Sequence, residues 1–195
     1  MSTFTETVRA WATQEVVDDR KGGLAIGVVA FALATAFGAQ VAVPLPWTVV
    51  PMTLQPLFVI LAGAVLGPRL GALAIAAYVT VGALGAPVFS NGAAGLPWLL
   101  GATGGYLLAA PAAAFVAGLV SGRDGGALRL LSGLTLGVAT MYVGGVSQLM
   151  LLSGISLSEG LALGVVPFLV GDVTKVALAF FAVRAARWTH QERTR

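Results

Sequence analysis

Residues 161–183 read LALGVVPFLVGDVTKVALAFFAV, and in this run only Asp172 and Lys175 carry charge. A bilayer core about 30 Å thick requires roughly 20 apolar residues of a helix that crosses it, which is what the run supplies. An acid or a base at the centre of such a helix costs roughly 2.5 to 3.5 kcal/mol on insertion scales, so chains keep one where it faces a cavity, a partner or a substrate. The stretch therefore implies a membrane helix and a reason, inside the membrane, for a charged pair.

The rest of the chain has the same character. Of its 195 residues 57% are apolar and 10% charged, and the mean hydropathy is +0.91, outside the range of soluble domains. Apolar runs recur at 24–43, 54–66, 70–86, 105–120, 128–152 and 161–183 with no polar domain between them. The second and third are short and meet at Gly67-Pro68, the signal of a tight helical hairpin. The expected fold class is an all-α integral membrane protein with six transmembrane helices, one membrane domain over 23–187, and tails at 1–22 and 188–195.

The basic residues check that count. Arg9, Arg20, Lys21, Arg69, Arg123, Arg129, Arg184, Arg187, Arg193 and Arg195 all fall on one side of a six-span arrangement. The loops of the other side, 44–52, 87–104 and 153–160, carry only Glu159. The positive-inside rule then puts both termini in the cytoplasm and those three loops outside. Of the 11 basic residues only Lys175 is left over from that side, and it lies within a span. The N-terminal tail is too acidic for a signal peptide, with Glu6, Glu15, Asp18 and Asp19. Thr3 and Glu6 have capping-box spacing, and Phe4, Val8 and Trp11 share a helical face, so the tail reads either as an interfacial helix or as a solvated arm.

Two outer loops are unusual. VPLPWTVVPMTLQP, residues 43–56, holds four prolines and cannot be a regular helix, while APVFSNGAAGLPWLLGATGG, residues 86–105, is rich in small residues and uncharged. Irregular backbone at membrane depth is tolerated where it is buried in protein or lines a cavity, so these loops are expected to cap an outward-facing site, the plain alternative being ordinary connections. In the first span, AFALATA (residues 30–36) pairs Ala30 with Ala34 and Ala32 with Ala36, small-residue spacings that let another helix approach.

Several function classes drop out. The net charge of +3 is spread over single residues without a basic stripe, which argues against nucleic acid. Cys is absent and the single His190 lies in the charged tail, so neither a thiolate site nor a metal cluster can be assembled. An intramembrane aspartyl hydrolase needs two carboxylates, and Asp172 is the only acid within a span; a rhomboid-type serine hydrolase needs a membrane-embedded His. No G-x-x-x-x-G-K-[ST] phosphate loop occurs, so the chain has no nucleotide hydrolysis by that route. What is left is a non-enzymatic transport protein. Asp172 and Lys175, three apart on one helical face, form either a structural ion pair or the polar end of a site for a small hydrogen-bonding solute, walled by aromatics such as Phe89, Trp98 and Tyr106.

Three separated motifs carry a resemblance: GAQVAVPLPWTVVPMTLQPLFVILAGAVLGPRLGALAIAAYVTVGALGAPVF at 38–89, GATGGYL at 101–107 and PFLVGDVTK at 167–175. Over about residues 24–187 the chain resembles the BioY family, the biotin-specific substrate-binding (S) components of energy-coupling factor (ECF) transporters. The resemblance implies a six-helix bundle in the plasma membrane, biotin as transported ligand, no cofactor in this chain, and ATP used only by a cytoplasmic ATPase pair joined through a transmembrane coupling subunit. It also implies ligand contact for Asp172 and Lys175 in the last helix, for Asn91 in the loop after the third, and for the segment Thr103, Gly104, Gly105 and Tyr106. Thr53 and Gln55 match the TLQ motif, as contacts or as loop structure, and Trp98 joins Tyr106 as an apolar wall. By the same resemblance the first helix meets the coupling subunit through Ala32 and Ala36, with Ala30 and Ala34 as the other register. The alternatives are an S component for another vitamin or small acid, an autonomous secondary carrier, and a structural membrane protein without a ligand. The N-terminal segment before Leu24 lies outside the resemblance.

Overall fold

The computed structural model describes residues 4–122 and 125–193, with side chains over 22–122 and 125–187. Helix α1 (Phe4–Gln40) runs through Gly22 and Gly23 without a break, so the expected tail and first span are one continuous helix. The Thr3 cap, the face formed by Phe4, Val8 and Trp11, Arg123 and the His190 side chain lie outside the described residues and side chains.

After α1 come two short strands, β1 (Ala42–Val43) and β2 (Met52–Thr53), paired antiparallel with Ala42 opposite Thr53 and Val43 opposite Met52. This ribbon is a local addition to an all-helical fold. It pinches the proline loop shut, leaving Pro44, Pro46 and Pro51, which have no N–H to donate, outside the paired residues. Helices α2 (Gln55–Leu66) and α3 (Pro68–Ala83) form the expected hairpin. Gly67 sits at φ 87°, and its N–H closes α2 on the Gly63 carbonyl at 2.9 Å, while Pro68 starts α3 where a missing N–H is harmless.

The next connection contains a 3₁₀ turn over Ser90–Gly92, with Asn91 left-handed at φ 57°, and the short helix α4 (Leu96–Leu99). Helices α5 (Gly104–Ser121) and α6 (Ala127–Ser153) follow as the most closely packed pair in the bundle. The last apolar run is not one regular helix. It is divided into α7 (Leu157–Gly164), a 3₁₀ turn over Val166–Phe168 that contains Pro167, and α8 (Leu169–Arg193). A proline after a helical turn has no N–H for the preceding carbonyls, and the chain resets there. The expected loop 153–160 is also partly helical: Ser156 and Glu159 form a capping box in which the Ser156 N–H donates to Glu159 Oε2 at 2.9 Å.

Four stretches are long and apolar enough to cross a membrane, Gly22–Gln40, Gly104–Ser121, Ala127–Ser153 and Leu157–Arg187, and α2 and α3 are shorter apolar helices. The core has two parts. Val59, Ala62, Ile75, Tyr78, Phe89, Leu107 and Met141 belong to one, and Ile60, Leu130, Leu134, Ala179 and Val183 to the other. Between helices the approach is set by glycine: a Cβ on Gly63 would overlap the Ala114 carbonyl, and one on Gly118 would meet the Gly63 carbonyl at 2.5 Å. Gly118 also touches the Gly67-Pro68 turn, and the Arg187 guanidinium donates to the Gly122 carbonyl at 2.7 Å and the Gly125 carbonyl at 3.0 Å. These contacts gather the α2–α3 turn, the α5–α6 turn and the C-terminal part of α8 at one end of the bundle. The loops around Val50, Ser90 and Phe168 gather at the other.

Candidate functional site

A cavity opens at the loop end between the two parts of the core. Its walls come from the proline loop and α2 (Val50, Thr53, Gln55), from the α3–α5 connection (Ser90, Trp98, Thr103), from α5 and α6 (Tyr106, Met141, Tyr142) and from the start of α8 (Asp172, Lys175). Leu107, Val138 and Phe168 complete the apolar side. Elements distant in sequence converge here because each is interrupted at this level: α1 has ended, α3 has given way to loop, and the last run is broken at Pro167.

Asp172 occupies the first turn of α8, and Lys175 follows one turn on. Both are buried, 6% and 5% exposed, and Lys175 Nζ donates to Asp172 Oδ1 at 2.6 Å. The second carboxylate oxygen is also engaged: the Tyr142 hydroxyl donates to Oδ2 at 2.5 Å from α6. A buried charge without a partner costs several kcal/mol, so this arrangement lets the acid and the base stay together in an apolar wall. The pair still presents unused lone pairs and N–H groups to the cavity it lines.

The other expected residues divide into those that line the cavity and those that shape it. Thr53, Gln55, Trp98, Thr103 and Tyr106 line it with Asp172 and Lys175. Thr53 Oγ1 accepts from the Gln55 N–H at 3.3 Å, a local bond that ties the TLQ segment to the first residue of α2 while it faces the cavity. Tyr106 presents its ring, and its hydroxyl is committed to the Gly164 carbonyl at 2.7 Å, at the end of α7. Gly104 and Gly105 do not line the cavity. A Cβ on Gly104 would overlap the Leu99 carbonyl, and one on Gly105 would overlap the Gly144 carbonyl of α6, so their role in this geometry is close approach. Asn91 is exposed at the tip of the 3₁₀ turn, one residue from the cavity-lining Ser90. On α1, Ala32 and Ala36 pack against the core, whereas Ala30 is exposed and Ala34 half-buried.

Sequence reasoning missed four polar residues. Tyr142 engages Asp172 across the helices, and Ser90 lines the cavity with a buried hydroxyl that has no hydrogen-bond partner among the described residues. Gln148 Nε2 donates to the Leu99 and Gly101 carbonyls at 2.8 and 2.7 Å and so pins the end of α4 to α6. Gln40, the last residue of α1, brackets the Ser90 turn: its Nε2 donates to the Phe89 carbonyl at 2.9 Å and its Oε1 accepts from the Gly92 N–H at 3.0 Å. An amide in an apolar helix is a signal in itself, since it needs partners there, and both glutamines offered it. Tyr142 and Ser90 offered none without knowledge of what faces them.

Residues 12–192 match the sequence model of the BioY family. The chain belongs to the BioY family. It is 47% identical to the probable biotin transporter BioY of Pyrococcus horikoshii over 116 residues, covering 60% of this chain and 67% of that protein. To the biotin transporter BioY of Thermotoga maritima it is 40% identical over 116 residues, covering 60% and 68%. Its fold is similar to the crystal structure of the S-component for biotin from an ECF-type ABC transporter, with a TM-score of 0.79 and 25% identity over 87% of this chain and 93% of that one. In this BioY chain the cavity with its charged pair is therefore the candidate ligand site.

Proposed function

We propose that the chain captures biotin for uptake, as the substrate-binding subunit of an ECF-type transporter in the plasma membrane. The observation that carries this reading is the buried Asp172–Lys175 pair lining a cavity in a member of the BioY family. Biotin has a ureido ring with two N–H donors and one carbonyl, a carboxylate, and an apolar ring and chain. The free lone pairs of Asp172 suit the N–H groups. Lys175, already ion-paired, orients that carboxylate and offers its remaining N–H groups to the ligand. Trp98, Tyr106, Leu107, Met141 and Phe168 cover the apolar part, while Thr53, Gln55 and Thr103 supply further polar atoms. Asn91 acts by setting the left-handed turn that carries Ser90. Gly104 and Gly105 contribute by letting the TGGY segment pack against its neighbours.

In this reading the bundle has six spans with both termini in the cytoplasm. Arg69, Arg129, Arg184 and Arg187 belong to the end opposite the cavity, in agreement with the positive-inside rule. The outward register for a transmembrane coupling subunit is Ala30 with Ala34, because Ala32 and Ala36 already face the core. Along that side of α1, Ile26, Leu33 and Phe37 are 70%, 65% and 66% exposed. Energy comes from a pair of cytoplasmic ATPases that this chain borrows. The membrane domain is 23–187, with 1–22 and 188–195 as cytoplasmic extensions.

A biotin isotherm on the purified chain tests the ligand: saturable, tight binding is expected, and no saturation, or a competition panel in which another small acid displaces biotin easily, would remove it. Vesicles holding this chain alone should not accumulate biotin under a proton gradient; accumulation would favour an autonomous carrier. Because the chain has no Cys, single cysteines introduced at Asn91 and Arg129 report topology, the first reacting with an impermeant thiol reagent from outside and the second only after permeabilisation.

A further inference from the structure

We propose that Tyr142 is a positioning residue for the ligand: its hydroxyl, donated to Asp172 Oδ2, fixes the carboxylate that meets the ureido N–H groups. The inference rests on the reading of Asp172 as the residue that receives those groups. The chain has three tyrosines, and each hydroxyl has a distinct commitment. Tyr78 donates to the Val88 carbonyl at 3.2 Å and Tyr106 to the Gly164 carbonyl at 2.7 Å, both holding backbone. Tyr142 alone of the three donates to a charged side chain.

The geometry explains what that bond does. A carboxylate turns easily about its terminal torsion, which is broad and roughly two-fold. Lys175, on the same helix and one turn away, holds only Oδ1, at 2.6 Å. Tyr142 comes from α6 and holds Oδ2 from a second direction, so the plane of the carboxylate is set by two donors on two helices. A carboxylate has about four lone-pair sites, which leaves roughly one on each oxygen for incoming N–H groups. Both residues line the cavity, so the oriented oxygens and the ring that orients them belong to one wall. Holding the acceptor in place before the ligand arrives reduces what must be ordered on binding.

Tyr142→Phe removes the hydroxyl and keeps the ring. In the otherwise unaltered chain it is expected to weaken biotin binding about tenfold, in line with loss of a hydrogen bond to a charged group. In an Asp172→Asn background the same substitution is expected to change affinity less than about twofold, because the group it orients has gone. An equal loss in both backgrounds, or no loss in the first, overturns the assignment. If Asp172→Asn itself leaves biotin binding unchanged, the reading of Asp172 fails instead, and the positioning role with it. Where the Asn variant binds too weakly to measure, a biotin methylated on a ureido nitrogen decides. The ratio of affinities for biotin and this analogue, which lacks one donor, should shrink by about fivefold in Tyr142→Phe, and an unchanged ratio overturns the proposal.

Discussion

The two ends of the bundle are built from the same apolar alphabet and reach opposite results. At the end that carries the α2–α3 and α5–α6 turns, glycines remove side chains where helices cross: Gly63 meets Ala114, and Gly118 meets both Gly63 and the Gly67-Pro68 turn. Backbones touch, and Arg187 fastens α8 to the α5–α6 turn. At the other end helices stop early or break, at Gln40, Ala83 and Pro167, and the space left between them is lined by Thr53, Gln55, Ser90, Tyr142, Asp172 and Lys175. The difference teaches that a membrane bundle makes room for a polar ligand by interrupting helices, and makes itself stable by thinning side chains where helices continue.

The largest test of this contrast falls on the charged pair. Lys175→Ala leaves Asp172 with only Tyr142 as partner, and Asp172→Asn leaves a buried ammonium without its counter-charge; each is expected to weaken biotin binding by on the order of 100-fold or more, read by isothermal titration. Binding within threefold of the unaltered chain in both variants would mean the pair is structural and the cavity end is not the ligand end. Gly118→Val attacks the packed end, where the added carbons run into the Gly63 carbonyl and the turn. A loss of about 1–3 kcal/mol of stability in detergent is expected, with little change in biotin affinity per folded molecule. An affinity loss at unchanged stability would erase the division between the ends.

Smaller effects sharpen the boundary. Gln148→Ala frees the Leu99 and Gly101 carbonyls that lead into the cavity-lining Thr103, so a stability loss of about 1–2 kcal/mol and an affinity loss of severalfold are expected together. Ser156→Ala removes the capping box of α7, outside the cavity lining. About 0.5–1 kcal/mol of stability and no measurable affinity should be lost, by thermal unfolding and titration respectively.

How much of this was readable in the sequence depended on whether the signal was local. The α2–α3 hairpin followed from Gly67-Pro68 and two apolar runs, and the structure keeps it to within a few residues. Asp172 and Lys175 stood out because charge is rare in such a chain, Trp98 and Tyr106 as aromatics near them, and Thr53 and Gln55 came through the resemblance; all of these line one cavity. The capping box at Ser156 and Glu159 is also a local signal, and the structure adds it to a segment that the hydropathy pattern marks only as a loop. The break at Pro167 was underestimated, since hydropathy runs unbroken from Leu161 to Val183 and an average over the run is blind to a missing N–H. Tyr142 was beyond reach, because its meaning lies 30 residues away on another helix.

That break has an electrostatic consequence. In an uninterrupted span Asp172 would sit mid-helix, where peptide dipoles cancel along the axis. Because α8 begins anew at Leu169, the carboxylate instead stands within the first turn of a helix, beside N–H groups that carry the positive end of its macrodipole. A negative charge there is stabilised by roughly 0.3–1 kcal/mol at exposed sites and up to about 2 kcal/mol when partly buried. Pro167 thus offsets part of the cost of keeping Asp172 in an apolar wall, and it does so with backbone alone.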